Sequence, residues 1–245
     1  TMNHDLLLLS NSSVHGMGFL AHALDAIAGF LGDRRTVHFA PFALADHDGY
    51  TAKVAETLEP LGVRVVGLHT VDARAAVEDA EALFVGGGNT FRLLKAIQRL
   101  GLIEPVRRRA TAGELAYLGS SAGTNHACPT IRTSNDMPIV EPGSFEAFGL
   151  VPFQVNPHYQ DPDPDSTHMG ETREQRIREF LEENDVPVLG MREGAWLRRR
   201  GADLTLHGET GALLFRRGRD AEAFGNEDDV SFLLGEGARY DAGSA

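Results

Sequence analysis

The stretch YLGSSAGTNHACPTIRTSND, Tyr117 to Asp136, holds the residues most able to do chemistry, because GSSAG within it satisfies G-x-S-x-G with Gly119, Ser121 and Gly123 at the fixed positions. In that pattern a strand turns sharply into a helix. Small flanking residues relieve crowding in the turn and leave the central hydroxyl, here Ser121, raised above the carboxyl edge of a sheet. Backbone NH groups at the following helix start, Ala122 first among them, can then face the oxyanion of an acyl transfer. The same five residues also suit a plain N-cap, with Ser120 or Ser121 as the capping side chain. One βα unit earlier, FVGGGNTF places Gly86, Gly87 and Gly88 after a strand and lets Asn89 and Thr90 cap the next helix. This turn fits neither G-x-G-x-x-G nor a P-loop, since Phe91 stands two beyond Asn89 and no Gly-Lys-Ser/Thr follows. It reads as a second source of oxyanion donors or as turn geometry alone.

A serine hydroxyl attacks poorly unless a base takes its proton and a third group orients the base. His158, in FQVNPHY, follows a strand pattern and reaches the sheet edge where Ser121 is expected. It reads equally as a base or as a strand-end histidine packed on the sheet. Glu193, in VPVLGMREGAW, ends the next strand and could hold the imidazole, although a Glu-Gly turn commonly carries an ordinary exposed acid. His126 and Cys128 have no companion ligands, so Cys128 reads as a small buried side chain. No metal or cofactor is called for, because an ester on serine resolved by water uses protein groups alone.

These side chains require a scaffold that brings several strand ends together. Short apolar runs alternate with amphipathic segments, the pattern of βα units in a mostly parallel sheet. Strands are expected at Asp5 to Ser10, Thr36 to Phe42, Val63 to His69, Ala82 to Val85, Glu114 to Gly119, Phe153 to Asn156 and Val186 to Met191. Helices are expected at Gly18 to Leu31, Tyr50 to Leu61, Ala73 to Ala80, Thr90 to Leu100, Ile103 to Ala112 and Glu171 to Asn184. After Gly194 the pattern becomes an antiparallel meander. The expected architecture is α/β: a three-layer sandwich with a mostly parallel central sheet, helices on both faces, and the meander appended. All 245 residues are read as one domain, and the acidic loop DPDPDSTHMG, Asp161 to Gly170, as a lid.

Composition narrows the partners. With 23 Lys+Arg against 35 Asp+Glu the net charge is −12, which repels nucleic acid and anionic lipid. The one basic run, Arg198 to Arg200, reads as a solvated edge beside a hairpin. A single cysteine points to a reducing compartment, and no apolar run is long enough for a membrane span; the start TMNHDLLLLS lacks the features of a secretory signal. The expected setting is the cytoplasm, with no nucleic-acid or membrane partner and a homodimer plausible for a sheet with an added antiparallel edge. Thr1, ahead of a methionine, reads as an appended residue.

GGGNTF, GSSAG, ACPTIRTSNDMPIV, NPHY, GETREQRI and the Glu193-Gly194-Ala195-Trp196 run occur here in the order found in peptidase E. The chain resembles that family of aspartyl dipeptidases over some four fifths of its length, from the first strand to about Trp196. The resemblance implies a fold related to class I glutamine amidotransferases and a triad of Ser121, His158 and Glu193. It implies oxyanion donors near Gly88 and at Ala122, with Asp136 as an active-site carboxylate that orients groups or binds a substrate amino terminus. The implied substrate is a small peptide with an N-terminal aspartate, whose carboxylate suits a guanidinium fork from Arg173 or Arg132. For each arginine a structural ion pair is the other reading. Ser120 stands where the family often has a bulky aromatic, which would leave the pocket more open. Alternative readings are a cyanophycinase-like hydrolase of another aspartyl substrate, or a binding module without turnover on the same scaffold.

Overall fold

The four consecutive leucines Leu6 to Leu9 are all fully buried, and the reason is a sheet covered on both faces: Leu6 and Leu8 enter one core, Leu7 and Leu9 the other. The structure is a computed structural model that describes residues 3–167 and 170–243. The reading of Thr1 and part of the 161–170 loop therefore fall outside the described residues.

The main sheet has seven strands in the order β3-β2-β4-β5-β1-β8-β9. They are β1 (Asp5–Leu9), β2 (Thr36–Ala40), β3 (Arg64–Gly67), β4 (Ala82–Val85), β5 (Ala116–Ser120), β8 (Trp196–Arg200) and β9 (Asp203–His207). The first five run parallel, and β8 and β9 are antiparallel additions beside β1. Helices α1 (Leu24–Leu31) and α2 (His47–Leu58) cover the Leu7 face through Ile27, Phe30, Val54 and Leu58. On the Leu6 face lie α3 (Ala73–Asp79), α4 (Thr90–Arg99) and α5 (Ile103–Thr111), which contribute Val77, Leu93, Ile97 and Val106. The layered α/β class expected from the sequence is present.

The sheet count differs from that expectation. The runs expected at Phe153 to Asn156 and Val186 to Met191 become β6 (Gln154–Tyr159) and β7 (Val188–Arg192), which pair parallel in a separate sheet ordered β11-β10-β7-β6. The meander is likewise divided: β10 (Ala212–Phe215) and β11 (Glu222–Phe224) extend the second sheet and only β8 and β9 extend the first. The cause is edge occupancy. β8 takes the free side of β1, so later strands find their open backbone on β7. Val155, Leu189, Met191 and Leu214 of the second sheet pack into the Leu6-side core.

The arginine run is a solvated edge only at Arg200, which is exposed. Arg199 is buried and donates to the Leu150 carbonyl, while Arg198 pairs with Asp5 at 2.6 Å, because β9 and not solvent lies beside β8. Helix starts shift for local reasons. Asp46 caps α2 by accepting from the Gly49 NH at 2.9 Å, and Leu20 at φ 58° breaks the expected Gly18 start into a turn, a 3₁₀ segment and α1. No helix among the described residues is long and apolar enough to cross a membrane.

Candidate active site

β5 ends at Ser120, and α6 (Ala122–Asn125) is a single turn, so Ser121 occupies the bend between them at φ 54° and ψ −109°. A non-glycine residue held at such angles stores on the order of 1–3 kcal/mol and persists only where packing enforces it. The enforcement is visible at Gly123, where an added Cβ would lie 1.9 Å from the Val85 carbonyl oxygen. The turn of α6 thus sits directly on β4, and only glycine fits. Ser120 faces the other way: fully buried, its hydroxyl lies 2.5 Å from that of Ser12. It does not line the cavity beside Ser121.

His158 comes from the second sheet. It lies in β6 where the pairing with β7 slips between Asn156 and Tyr159, after Pro157, and its φ is 55°. Both partners of the pair therefore ride on left-handed backbone. The Ser121 Oγ lies 2.8 Å from His158 Nε2, and His158 Nδ1 lies 2.9 Å from Glu193 Oε1. An ionised carboxylate only accepts, so Nδ1 carries the proton and Nε2 presents its lone pair to the serine hydroxyl. Glu193 follows β7 and is about half exposed at 48 %, so this line of groups reaches solvent at its far end.

The end of β1 fastens both loops. The buried Ser10 hydroxyl accepts from the His158 NH at 2.9 Å and donates to the Met191 carbonyl at 2.9 Å. Its neighbour Asn11, also buried, accepts from the Gly194 NH at 2.8 Å, one residue past Glu193. Ser10→Ala leaves the His158 NH without its partner. We expect a thermal midpoint lowered by the equivalent of about 1–2 kcal/mol, and kcat reduced roughly 10-fold at nearly constant KM as the imidazole loses its aim. Steady-state kinetics with a calorimetric melt checks this, and Ser10→Thr, which keeps a hydroxyl, should recover most of kcat.

The backbone NH groups of Gly88 and Ala122 are the candidates for an oxyanion. The Ser121 NH is used by the Leu9 carbonyl at 3.1 Å and the Gly87 NH by the Tyr50 hydroxyl at 2.8 Å. The NH groups of Gly88 and Ala122 find no acceptor among the described residues, and both residues line the cavity at Ser121. Gly88 holds φ 133° with its Cα against the Ala43 carbonyl, where a Cβ would approach to 2.5 Å.

That cavity, about 390 Å³, also takes in Thr90, Ser134, Asn135, Asp136 and Arg173. Asp136 Oδ2 accepts from the Thr90 NH at 2.9 Å and its hydroxyl at 2.6 Å, and Ser134 Oγ donates to Thr90 Oγ1 at 3.0 Å. Asp136 Oδ1 has no donor among the described residues. Arg173 opens α7 (Arg173–Glu183), whose capping box is Thr172 with Gln175. Its Nε is buried without a partner, and burial followed by repulsion from Arg176 lowers its pKa against attraction from Asp136 and Glu193. Arginine stays charged under such a shift, so the site holds an underused cation.

The remaining candidates lie elsewhere. Arg132 is outside the cavity, bound through two nitrogens to Asp241 at 2.8 and 3.0 Å and resting over the Tyr240 ring; the ion-pair partners considered from sequence, Glu171, Glu174 and Asp136, are not the ones it uses. Asn89 caps α4 through the NH groups of Phe91 and Arg92 and ties down the Met137 carbonyl. Cys128 is buried, with its thiol pKa pushed up to about 12 by desolvation, and His126 is likewise held near 4. None of the described residues of the 161–170 loop lines the cavity. Sequence reasoning missed Ser10, Asn11 and Ser134, and took Thr90 for a cap. The signal available was their position: Ser134 lies within the TIRTSND motif, and Ser10 and Asn11 lie at the end of the first expected strand.

Known proteins resemble this chain over most of its length. The model of Peptidase family S51 matches residues 6–207. A protein of Streptomyces coelicolor named Peptidase E is 57% identical over 241 residues, covering 98% of this chain and 99% of the relative. A Drosophila melanogaster protein named "Probable alpha-aspartyl dipeptidase" is 47% identical over 233 residues, 94% of this chain and 97% of its own. Among solved structures, a peptidase from an acI-B1 Actinobacterium superposes with a TM-score of 0.63 at 17% identity, covering 94% of this chain and 98% of that one. The strand-turn-helix serine, the histidine opposite it and these matches lead to one placement: the chain belongs to peptidase family S51.

Proposed function

We propose that the protein is a serine dipeptidase that hydrolyses the bond after an N-terminal aspartate in dipeptides and other short peptides. The observation that carries the reading is the unbroken line from Ser121 Oγ to His158 Nε2, 2.8 Å, and from His158 Nδ1 to Glu193, 2.9 Å. Substrate choice is supported by the names of the relatives and by the position of Arg173.

In the proposed mechanism Ser121 Oγ attacks the scissile carbonyl carbon while its proton passes to His158 Nε2. Glu193 keeps the ring in the tautomer that can accept and stabilises the imidazolium that results. The carbonyl oxygen becomes an oxyanion held by the Gly88 and Ala122 NH groups, whose alignment is fixed before the reaction begins. His158 then protonates the departing amine, the C–N bond breaks, and an aspartyl ester remains on Ser121. Water, deprotonated by the same imidazole, releases aspartate and restores the serine. Arg173 would bind the substrate's side-chain carboxylate and the free Asp136 oxygen its ammonium group, so that both ends of the first residue are charge-matched within one cavity.

Hydrolysis of Asp-X chromogenic amides, measured against Ala-X and Glu-X amides, tests the reading. Turnover of the Asp compounds well above the others is expected. Equal, slow release from all three would end it.

A further inference from the structure

Ser121 is approached from two sides. Besides the Arg173 cavity, a second groove of about 490 Å³ shares Gly88, Ser121 and His158 with it and runs outward between the β1 and β2 ends and α2. Its walls are the rings of Phe19 and Tyr50 and the side chain of Leu44, which is 40% exposed. Leucine left this open at the rim of a groove is an apolar surface without a protein partner.

Two charges border the groove, Asp46 and Lys53. The Asp46 carboxylate is engaged as the cap of α2. Lys53 projects from α2 with its Nζ 4.6 Å from the centre of the Phe19 ring, and it forms no ion pair with any described residue. An ammonium held over an aromatic face keeps its hydrogen-bond donors free for an incoming anion.

A dipeptide places one residue on each side of the bond that breaks. With the first residue in the Arg173 cavity, the second must cross Ser121, because its nitrogen takes a proton from His158. What crosses carries an apolar or polar side chain and, in a dipeptide alone, a free α-carboxylate two bonds from that nitrogen. We propose that this groove is the leaving-group subsite, with Phe19 and Leu44 receiving an apolar second side chain and Lys53 recognising the terminal carboxylate. Preference for dipeptides then arises from a cation at the groove and not only from limited space. The inference rests on the proposed dipeptidase reading.

Kinetics on Asp-Leu and on Asp-Leu amide, which lacks the anion, separate the two ideas. Wild type should favour the free acid about 5-fold, chiefly through KM, the scale of one solvent-exposed ion pair. Rising ionic strength should shrink that ratio. Lys53→Met should bring it close to one, and Lys53→Arg should retain it; because Lys53 is exposed, melting temperatures of both variants are expected to match wild type. Wild type that hydrolyses acid and amide equally, or a Met variant that keeps the preference, overturns the subsite while leaving the dipeptidase intact. Wild type inert on both compounds removes the dipeptidase reading, and the subsite with it.

Discussion

Ser121→Ala is expected to lower kcat on an Asp-X substrate by on the order of 10⁵-fold, the loss that follows when the nucleophile of a coupled triad is removed. That corresponds to roughly 7 kcal/mol of transition-state stabilisation. Folding should be almost untouched. The hydroxyl's one partner among the described residues is His158, whereas the contacts that hold the turn use the Ser121 backbone, which receives the Thr124 and Asn125 NH groups and donates to Leu9. Alanine keeps all of these and adopts the same φ at similar strain. A serine-directed covalent reagent should add once to wild type and not to the variant. Retention of more than a few per cent of activity in Ser121→Ala, or labelling elsewhere, would remove Ser121 from the mechanism.

Arg173→Met should cost Asp-X substrates roughly 10²-fold to 10³-fold in kcat/KM, the range for losing a desolvated, charge-assisted contact to a carboxylate. Ala-X amides, which offer no carboxylate there, should change little, so selectivity collapses from the top. The basis is local: Arg173 faces Asp136 and Glu193 across the cavity, its Nε has no hydrogen-bond acceptor, and no described residue forms an ion pair with it. Arg173→Lys should fall between, because a point charge cannot reproduce the two parallel bonds of a guanidinium. The same substitution at Arg132, committed to Asp241 and Tyr240, should affect stability more than selectivity. An Arg173→Met enzyme still preferring aspartate would assign recognition to another group.

Much of the site could be read in the sequence because its chemistry coincides with turn chemistry. GSSAG and GGGNTF need glycine for close backbone approach, as Gly123 against Val85 and Gly88 against Ala43 show, and those demands leave a mark in composition. His158 and Glu193 were legible as strand-end residues. Their strands could be located but not assigned to a sheet, since a short apolar run buried on both faces has the same pattern in either one. The division of the last four strands was likewise hidden, because edge pairing depends on which backbone is already taken. Arg132 failed as a cavity residue for a related reason. Its partner Asp241 lies 109 positions away in a segment with no recognisable motif, so spacing could not reveal the pair.

The proposed nucleophile Ser121 follows a strand of one sheet and its proposed activating pair, His158 and Glu193, comes from the other, joined through Ser10 and Asn11. A chain still emerging from synthesis, with β5 formed but β6 and β7 not yet docked, carries an ordinary alcohol and nothing to activate it. Hydrolytic competence therefore requires the second sheet to be docked on the first, and any opening that parts His158 from Ser121 removes it.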